Sequence, residues 1–250
     1  MKHIRIIGPF VATEDRSESL LEQTSQHYGH EGLTLSVGFP DSGPELETSE
    51  SLSALSLSVA ELIRNAVKAE KEGVDGIMVN CMADPGVEEM RESVSIPVLG
   101  PGHTSMHVAA LLGRRFSLLV TSEFSARYFR EQVRKAGLTS RLASCQVVGI
   151  PVVEIGTDPA RTAALLAEAA RKAVVEAHAD TLVICCTGFA FLAQDLQGML
   201  AAMKLSVPVI DPFAVTINML AAFIDAGLTQ SKIAYPDTRV SKKQTMGATD

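Results

Sequence analysis

The chain is poor in cysteine, in cationic excess and in long apolar runs, and each shortage removes a class of function. Its four cysteines, Cys81, Cys145, Cys185 and Cys186, form no Cys-x-x-Cys pair. That argues against a disulfide framework or a structural zinc site, and free thiols fit a reducing cytoplasm. Lys and Arg number 22 against 29 Asp and Glu, for a net charge of −7. With no basic stripe either, a nucleic-acid partner is not expected. The longest apolar stretch, around residues 181–190, falls well short of the roughly 20 residues a membrane helix needs. The opening MKHIRIIGPF is broken by Gly8-Pro9 too early for a secretory signal. No GxGxxG follows a strand, and there is neither a P-loop nor a His/Asp metal cluster, so no cofactor and no metal are expected.

What is present is the composition of a globular protein, 46% apolar and 20% charged over 250 residues. That is enough for one large domain or two modest ones. The most informative stretch is TLVICCTGFA, residues 181–190. A β-branched apolar run that stops at a small-residue turn reads as a strand buried on both faces. Its last side chains then lie at the carboxyl edge of the sheet, where open α/β folds bind ligands.

Alternating elements surround it. Strands are expected at 4–7, 33–39, 76–80, 97–100, 116–120, 146–150, 181–184 and 208–211. Helices are expected near 17–28, 59–72, 85–92, 104–112, 122–136, 159–178, 191–203 and 215–226. Asp84-Pro85 has the form of an N-cap and first-turn proline. A turn-rich loop spans 40–47 and a polar tail spans 241–250. Four strands per half, alternating with helices, predict two parallel α/β layers.

The halves also match each other. Ile96-Pro-Val-Leu-Gly-Pro101 corresponds to Val207-Pro-Val-Ile-Asp-Pro212, and Cys81 and Cys186 are separated by nearly the same interval. We read this as an internal duplication. It predicts two similar four-stranded subdomains related by a pseudo-twofold axis, one from residues 1–113 with 212–250 and one from 114–211. The active site would lie in the cleft between their carboxyl edges.

If Cys81 and Cys186 are equivalent, a small ligand is held between two thiols. That arrangement suits removal of a proton from one face of a carbon and its return to the other, with one thiolate as base and one thiol as acid. Cys185 should point to the opposite side of its strand from Cys186 and is read as core, as is Cys145. Asp211 reads as a helix cap, and His103 and His107 as capping or surface residues. Thr121 and Ser122 cap a helix, yet at a strand end they also offer hydroxyls to a ligand carboxylate. Thr187 adjoins one of the two thiols.

These residues carry a resemblance. Asn80-Cys81-Met-Ala-Asp84-Pro85-Gly86 resembles the first cysteine motif of hydantoin and allantoin racemases, in the aspartate/glutamate racemase superfamily. Cys186-Thr187-Gly188 resembles the second. Gly43-Pro44 with Glu47, Thr121-Ser122 and Val207-Pro-Val-Ile-Asp211-Pro212 resemble further landmarks. The resemblance implies two α/β subdomains, cofactor-free racemisation by Cys81 and Cys186, a small-molecule substrate and a homo-oligomer. Asn80, Thr121, Ser122, Thr187 and Gly188 would line the substrate, with Pro9 and Phe10. The turn Gly8-Pro9-Phe10-Val11 replaces the Asn-Pro-Asn-Thr-like turn usual in hydantoin-type members, and His103 stands where the family often has glutamate. Phe10 therefore points to a more apolar or differently shaped ligand. Two other readings share the scaffold: an arylmalonate-type decarboxylase or maleate-type cis–trans isomerase, and a small-molecule binding protein without turnover.

Overall fold

A computed structural model describes residues 1–41 and 49–237. The landmarks Gly43-Pro44 and Glu47, most of loop 40–47 and the tail 241–250 lie outside the described residues. The first half runs β1 (Lys2–Ile7), α1 (Glu14–Tyr28), β2 (Leu33–Gly38), α2 (Leu52–Lys71), β3 (Gly76–Val79), α3 (Val87–Ser93), β4 (Val98–Leu99) and α4 (Pro101–Leu112). The second runs β5 (Phe116–Val120), α5 (Glu123–Lys135), β6 (Leu142–Val147), α6 (Pro159–Val175), β7 (Thr181–Ile184), α7 (Ala193–Ala202), β8 (Val209–Ile210) and α8 (Pro212–Asp225). Each half forms a four-stranded sheet in which every strand pair is parallel. The orders β2-β1-β3-β4 and β6-β5-β7-β8 place corresponding strands in corresponding positions.

Burial follows the sequence pattern. The near-continuous apolar runs of β3, β5 and β7 are buried at every residue, as strands covered on both faces require. The edge strands β2 and β6 are only partly buried. That explains why β6 lies earlier than expected: its residues mix apolar and polar side chains, and the more apolar stretch after it is the exit loop. Strands β4 and β8 hold two residues each, and the helices that follow them tie the halves together. α4 packs on β5, β7 and β8, α8 packs on β1, β3 and β4, and the two helices pack against each other. Met106 and Ala109 of α4 share a core with Phe116, Leu118 and Val183. Phe213, Ile217 and Leu220 of α8 share one with Ile4, Ile6 and Met78.

Several helix starts differ from the sequence reading, α1 at Glu14 and α4 at Pro101 among them, and for three others the cap gives the reason. α2 begins at Leu52, not near 59, because the Ser51 hydroxyl accepts the Ala54 N–H at 3.1 Å and draws the serine-rich stretch into the helix. α8 begins at Pro212 because Asp211 accepts N–H bonds from Phe213 and Ala214 at 2.8 and 3.2 Å. Asp84 does not cap α3; Gly86 holds that position with φ of 68°. Asp84, itself left-handed at φ of 52°, accepts the Gly102 and His103 N–H groups at 2.8 and 2.6 Å. It thus caps α4, across the fold from its own helix. Before α7 the chain makes a 3-10 turn over Thr187–Leu192.

Candidate active site

The carboxyl ends of strands from both sheets open onto one cavity of about 450 Å³. Pro9 and Phe10 enter it after β1, Phe39 after β2, Asn80 and Cys81 after β3, Thr121 after β5, and Cys186 and Thr187 after β7. Cys81 and Cys186 each follow their strand by two residues, and β3 and β7 hold the same place in their two sheets. The spacing therefore sends both thiols to the same cavity from opposite halves of the chain.

Each thiol sits in a fixed backbone turn. Around Cys81, the Asp84 N–H donates to the Cys81 carbonyl at 3.0 Å. The Tyr128 hydroxyl donates to the Ala83 carbonyl at 3.0 Å, and the Asp84 carboxylate ties the same loop to α4. Cys186 heads the 3-10 turn, which the Phe189 N–H closes by donating to the Cys186 carbonyl at 3.0 Å. A Cβ on Gly188 would crowd the Ile155 side chain at 3.2 Å and rest against the Cys186 sulfur at 3.6 Å.

The electrostatics favour neutral thiols. Burial pushes Cys186 up to about 11; the Gly188 and Phe189 N–H groups pull it down, and the Glu50 carboxylate pushes it further up. Burial pushes Cys81 up to about 12, against the Ala83 N–H and the Ser49 hydroxyl, while negative charge on Asp84 and on Cys186 adds to the rise. Ionising one thiol thus opposes ionising the other, so the pair holds at most one negative charge in the accessible pH range. Burial also raises Tyr128 to about 12, with charge on Cys81 and Asp84 contributing.

Residues 4–220 match the Asp/Glu/Hydantoin racemase family. The chain belongs to that family. It is 27% identical to a hydantoin racemase of Rhizobium meliloti over 94% of this chain and 95% of that one. It is 29% identical to a hydantoin racemase of Pseudomonas sp. (strain NS671) over 77% of this chain and 75% of that one. The allantoin racemase of Klebsiella pneumoniae shares the fold, with a TM-score of 0.83 at 23% identity over 95% of both chains.

Within this Asp/Glu/Hydantoin racemase fold, most of the residues singled out in the sequence meet at the cavity: Cys81, Cys186, Asn80, Thr121, Thr187, Gly188, Pro9 and Phe10. Ser122 does not. It caps α5 by accepting the Ser125 N–H at 3.3 Å. The Thr121 hydroxyl is engaged by protein groups, donating to the Glu50 carboxylate at 2.8 Å and pairing with the Ser125 hydroxyl at 2.9 Å. Cys185 packs into the core beneath α4 and α5 and also touches the cavity wall. His103 and His107 lie outside the lining; their rings are 4.2 Å apart on α4.

The sequence reading missed Glu50, Ser125 and Tyr128. Ser125 and Tyr128 follow Thr121 at helical spacings of four and seven, a signal that could have found them. Glu50 sat in a serine-rich run read as a lead-in, and only the Ser51 cap brings it to the site.

Proposed function

We propose that the chain is a cofactor-independent racemase or epimerase that uses Cys81 and Cys186 as an acid–base pair. Its substrate would be a carbon acid next to a carbonyl, hydantoin-like or amino-acid-derived. The observation that carries this reading is the arrival of two thiols at one cavity from equivalent positions on two sheets of matching strand order. That matching order also supports a pseudo-twofold relation between the halves.

In the reaction, a thiolate takes the proton from the stereogenic carbon and becomes a thiol. The electron pair moves into the adjacent carbonyl as an enolate. The second thiol then gives its proton to the opposite face of the carbon and is left as the thiolate. The product is the other enantiomer, and the pair is ready for the reverse turnover with its roles exchanged. Cys186, with the lower of the two pKa values, ionises first, and the Gly188 and Phe189 N–H groups stabilise its charge. A thiolate of raised pKa is scarce but strongly basic. At a pKa near 11 only about one site in 10⁴ is ionised at neutral pH, and that one is well matched to a weak carbon acid. Asn80, Thr187 and Gly188 border the reacting centre, while Pro9 and Phe10 face the substituent.

Nuclear magnetic resonance in deuterated water tests the proposal. A panel of substituted hydantoins and amino-acid derivatives should include one that exchanges deuterium at its stereocentre and loses optical rotation. Release of carbon dioxide from malonates, or conversion of maleate to fumarate, without such exchange would overturn it.

A further inference from the structure

We propose that Tyr28 is a positioning residue: its hydroxyl bond to Asp211 latches α1 to the second half of the fold and holds that helix in place as the rim of the cavity. This rests on the reading above only in taking that cavity as the substrate site. Ser19, Leu20 and Gln23 of α1 line the cavity, and Ser19 and Gln23 are at the same time exposed. α1 therefore stands between the cavity and solvent. It is lightly held there, packing chiefly on the edge strand β2 and on α8. Thr24 is its one buried side chain among the described residues, and the Thr24 hydroxyl donates only to the Leu20 and Leu21 carbonyls. The side-chain hydrogen bonds described for Ser17, Gln23, Gln26 and His27 likewise run to residues four positions earlier in the chain. Tyr28 is the exception. Its hydroxyl donates to the Asp211 carboxylate at 2.8 Å, across 183 positions.

Asp211 stands where β8 of the second sheet hands over to α8, which packs on the first. One of its carboxylate oxygens accepts the Phe213 and Ala214 N–H groups and the other accepts Tyr28. The latch thus closes on an anchor that α8 already fixes. Burial, and then the charge of Asp211, push Tyr28 well above its ordinary range, so the hydroxyl keeps its proton and remains a donor. The Tyr28 ring stacks on Phe213, with centroids 5.6 Å and planes 10° apart. It also lies 5.9 Å from Phe191, in the 3-10 turn that Cys186 heads. Phe191 and Phe213 both line the cavity, so Tyr28 backs the aromatic wall while its own helix forms the rim. A hydrogen bond to a carboxylate shifts such a docking equilibrium by about tenfold to a hundredfold.

Tyr28→Phe removes the bond and keeps the ring, which isolates the latch. By hydrogen exchange with mass spectrometry, the amides of α1 should exchange at least about tenfold faster than in wild type, while β3 and β7 keep their protection. Iodoacetamide at mildly alkaline pH should label Cys81 and Cys186 at least about threefold faster. Cys145, buried in β6 and outside the cavity lining, should label at its wild-type rate; a merely structural role would expose all three thiols alike. Asp211→Asn should behave as Tyr28→Phe does, and combining the two should add less than about twofold, because both act through one bond. Wild-type exchange of α1 in either folded variant would overturn the proposal, as would a rise in Cys145 labelling equal to that of the cavity thiols. If Tyr28→Phe does not fold, Asp211→Asn, which keeps an oxygen for the α8 cap, carries the same test. Neither readout needs turnover. A chain that exchanges deuterium into no substrate would sink the racemase reading and leave the latch standing, and an α1 indifferent to Tyr28 would do the reverse.

Discussion

Replacing Asp84 tests how the Cys81 loop is held. Its carboxylate accepts two backbone N–H groups, from Gly102 at 2.8 Å and His103 at 2.6 Å, at the start of a helix that packs on the other sheet. The side chain also fills the space that a Cβ on Gly100 would need. In Asp84→Ala the buried Gly102 N–H is stranded, whereas the His103 N–H, on an exposed residue, finds water. One bond lost without replacement, one partly replaced and a small void together cost about 3 kcal/mol. For a chain of this size that lowers the melting temperature by about 6–12 °C. Asp84→Asn keeps the shape and one acceptor and should lose about half as much. Scanning calorimetry measures both variants, and hydrogen exchange should show the loss of protection concentrated in α4. A cap on α3 alone would be worth only about 1 kcal/mol and would unprotect α3 instead. A melting temperature for Asp84→Ala within about 1 °C of wild type, or exchange confined to α3, refutes the cross-fold role.

Further outcomes follow from the same geometry. Alkylation by iodoacetamide should be slow near neutral pH and rise about tenfold per pH unit toward the Cys186 pKa near 11, labelling Cys186 before Cys81; peptide mass spectrometry reads the order. The sign is that of an acid whose pKa is raised by burial, so base exposes the nucleophile and acid protects it. Ser122→Ala should cost about 1 kcal/mol of stability through its lost cap and leave substrate affinity unchanged, as chemical denaturation and KM would show. Tyr128→Phe removes the bond to the Ala83 carbonyl and loosens the Cys81 turn, so kcat should fall about three- to tenfold with the protein still folded.

The fold was legible in the sequence wherever one physical signal dominated. Uninterrupted apolar runs marked β3, β5 and β7, and turn glycines marked the ends of α2 and α5. The repeated Pro-Val-Leu/Ile pattern marked β4 and β8, and the strand-end cysteines pointed to the cavity. Legibility failed where the deciding partner was distant in the chain. Asp84 looks like a local cap because its own proline follows it, yet its acceptor capacity goes to α4. Glu50 looks like linker because nothing near it in sequence announces the hydroxyl of Thr121. β6 was displaced because an edge strand buries one face only and carries a weaker pattern than the loop beyond it.

The central claim is that two thiols work from opposite faces of one carbon, and exchange by the single-cysteine variants tests it most directly. Each enantiomer of an active substrate is incubated in deuterated water with Cys81→Ser and with Cys186→Ser, and loss of the stereocentre proton is followed together with optical rotation. Racemisation should collapse in both variants. Each should still exchange, without inversion, only the enantiomer whose proton faces its remaining thiol, and the preference should be opposite in the two. Racemisation of both enantiomers by either variant at the wild-type rate would contradict the account.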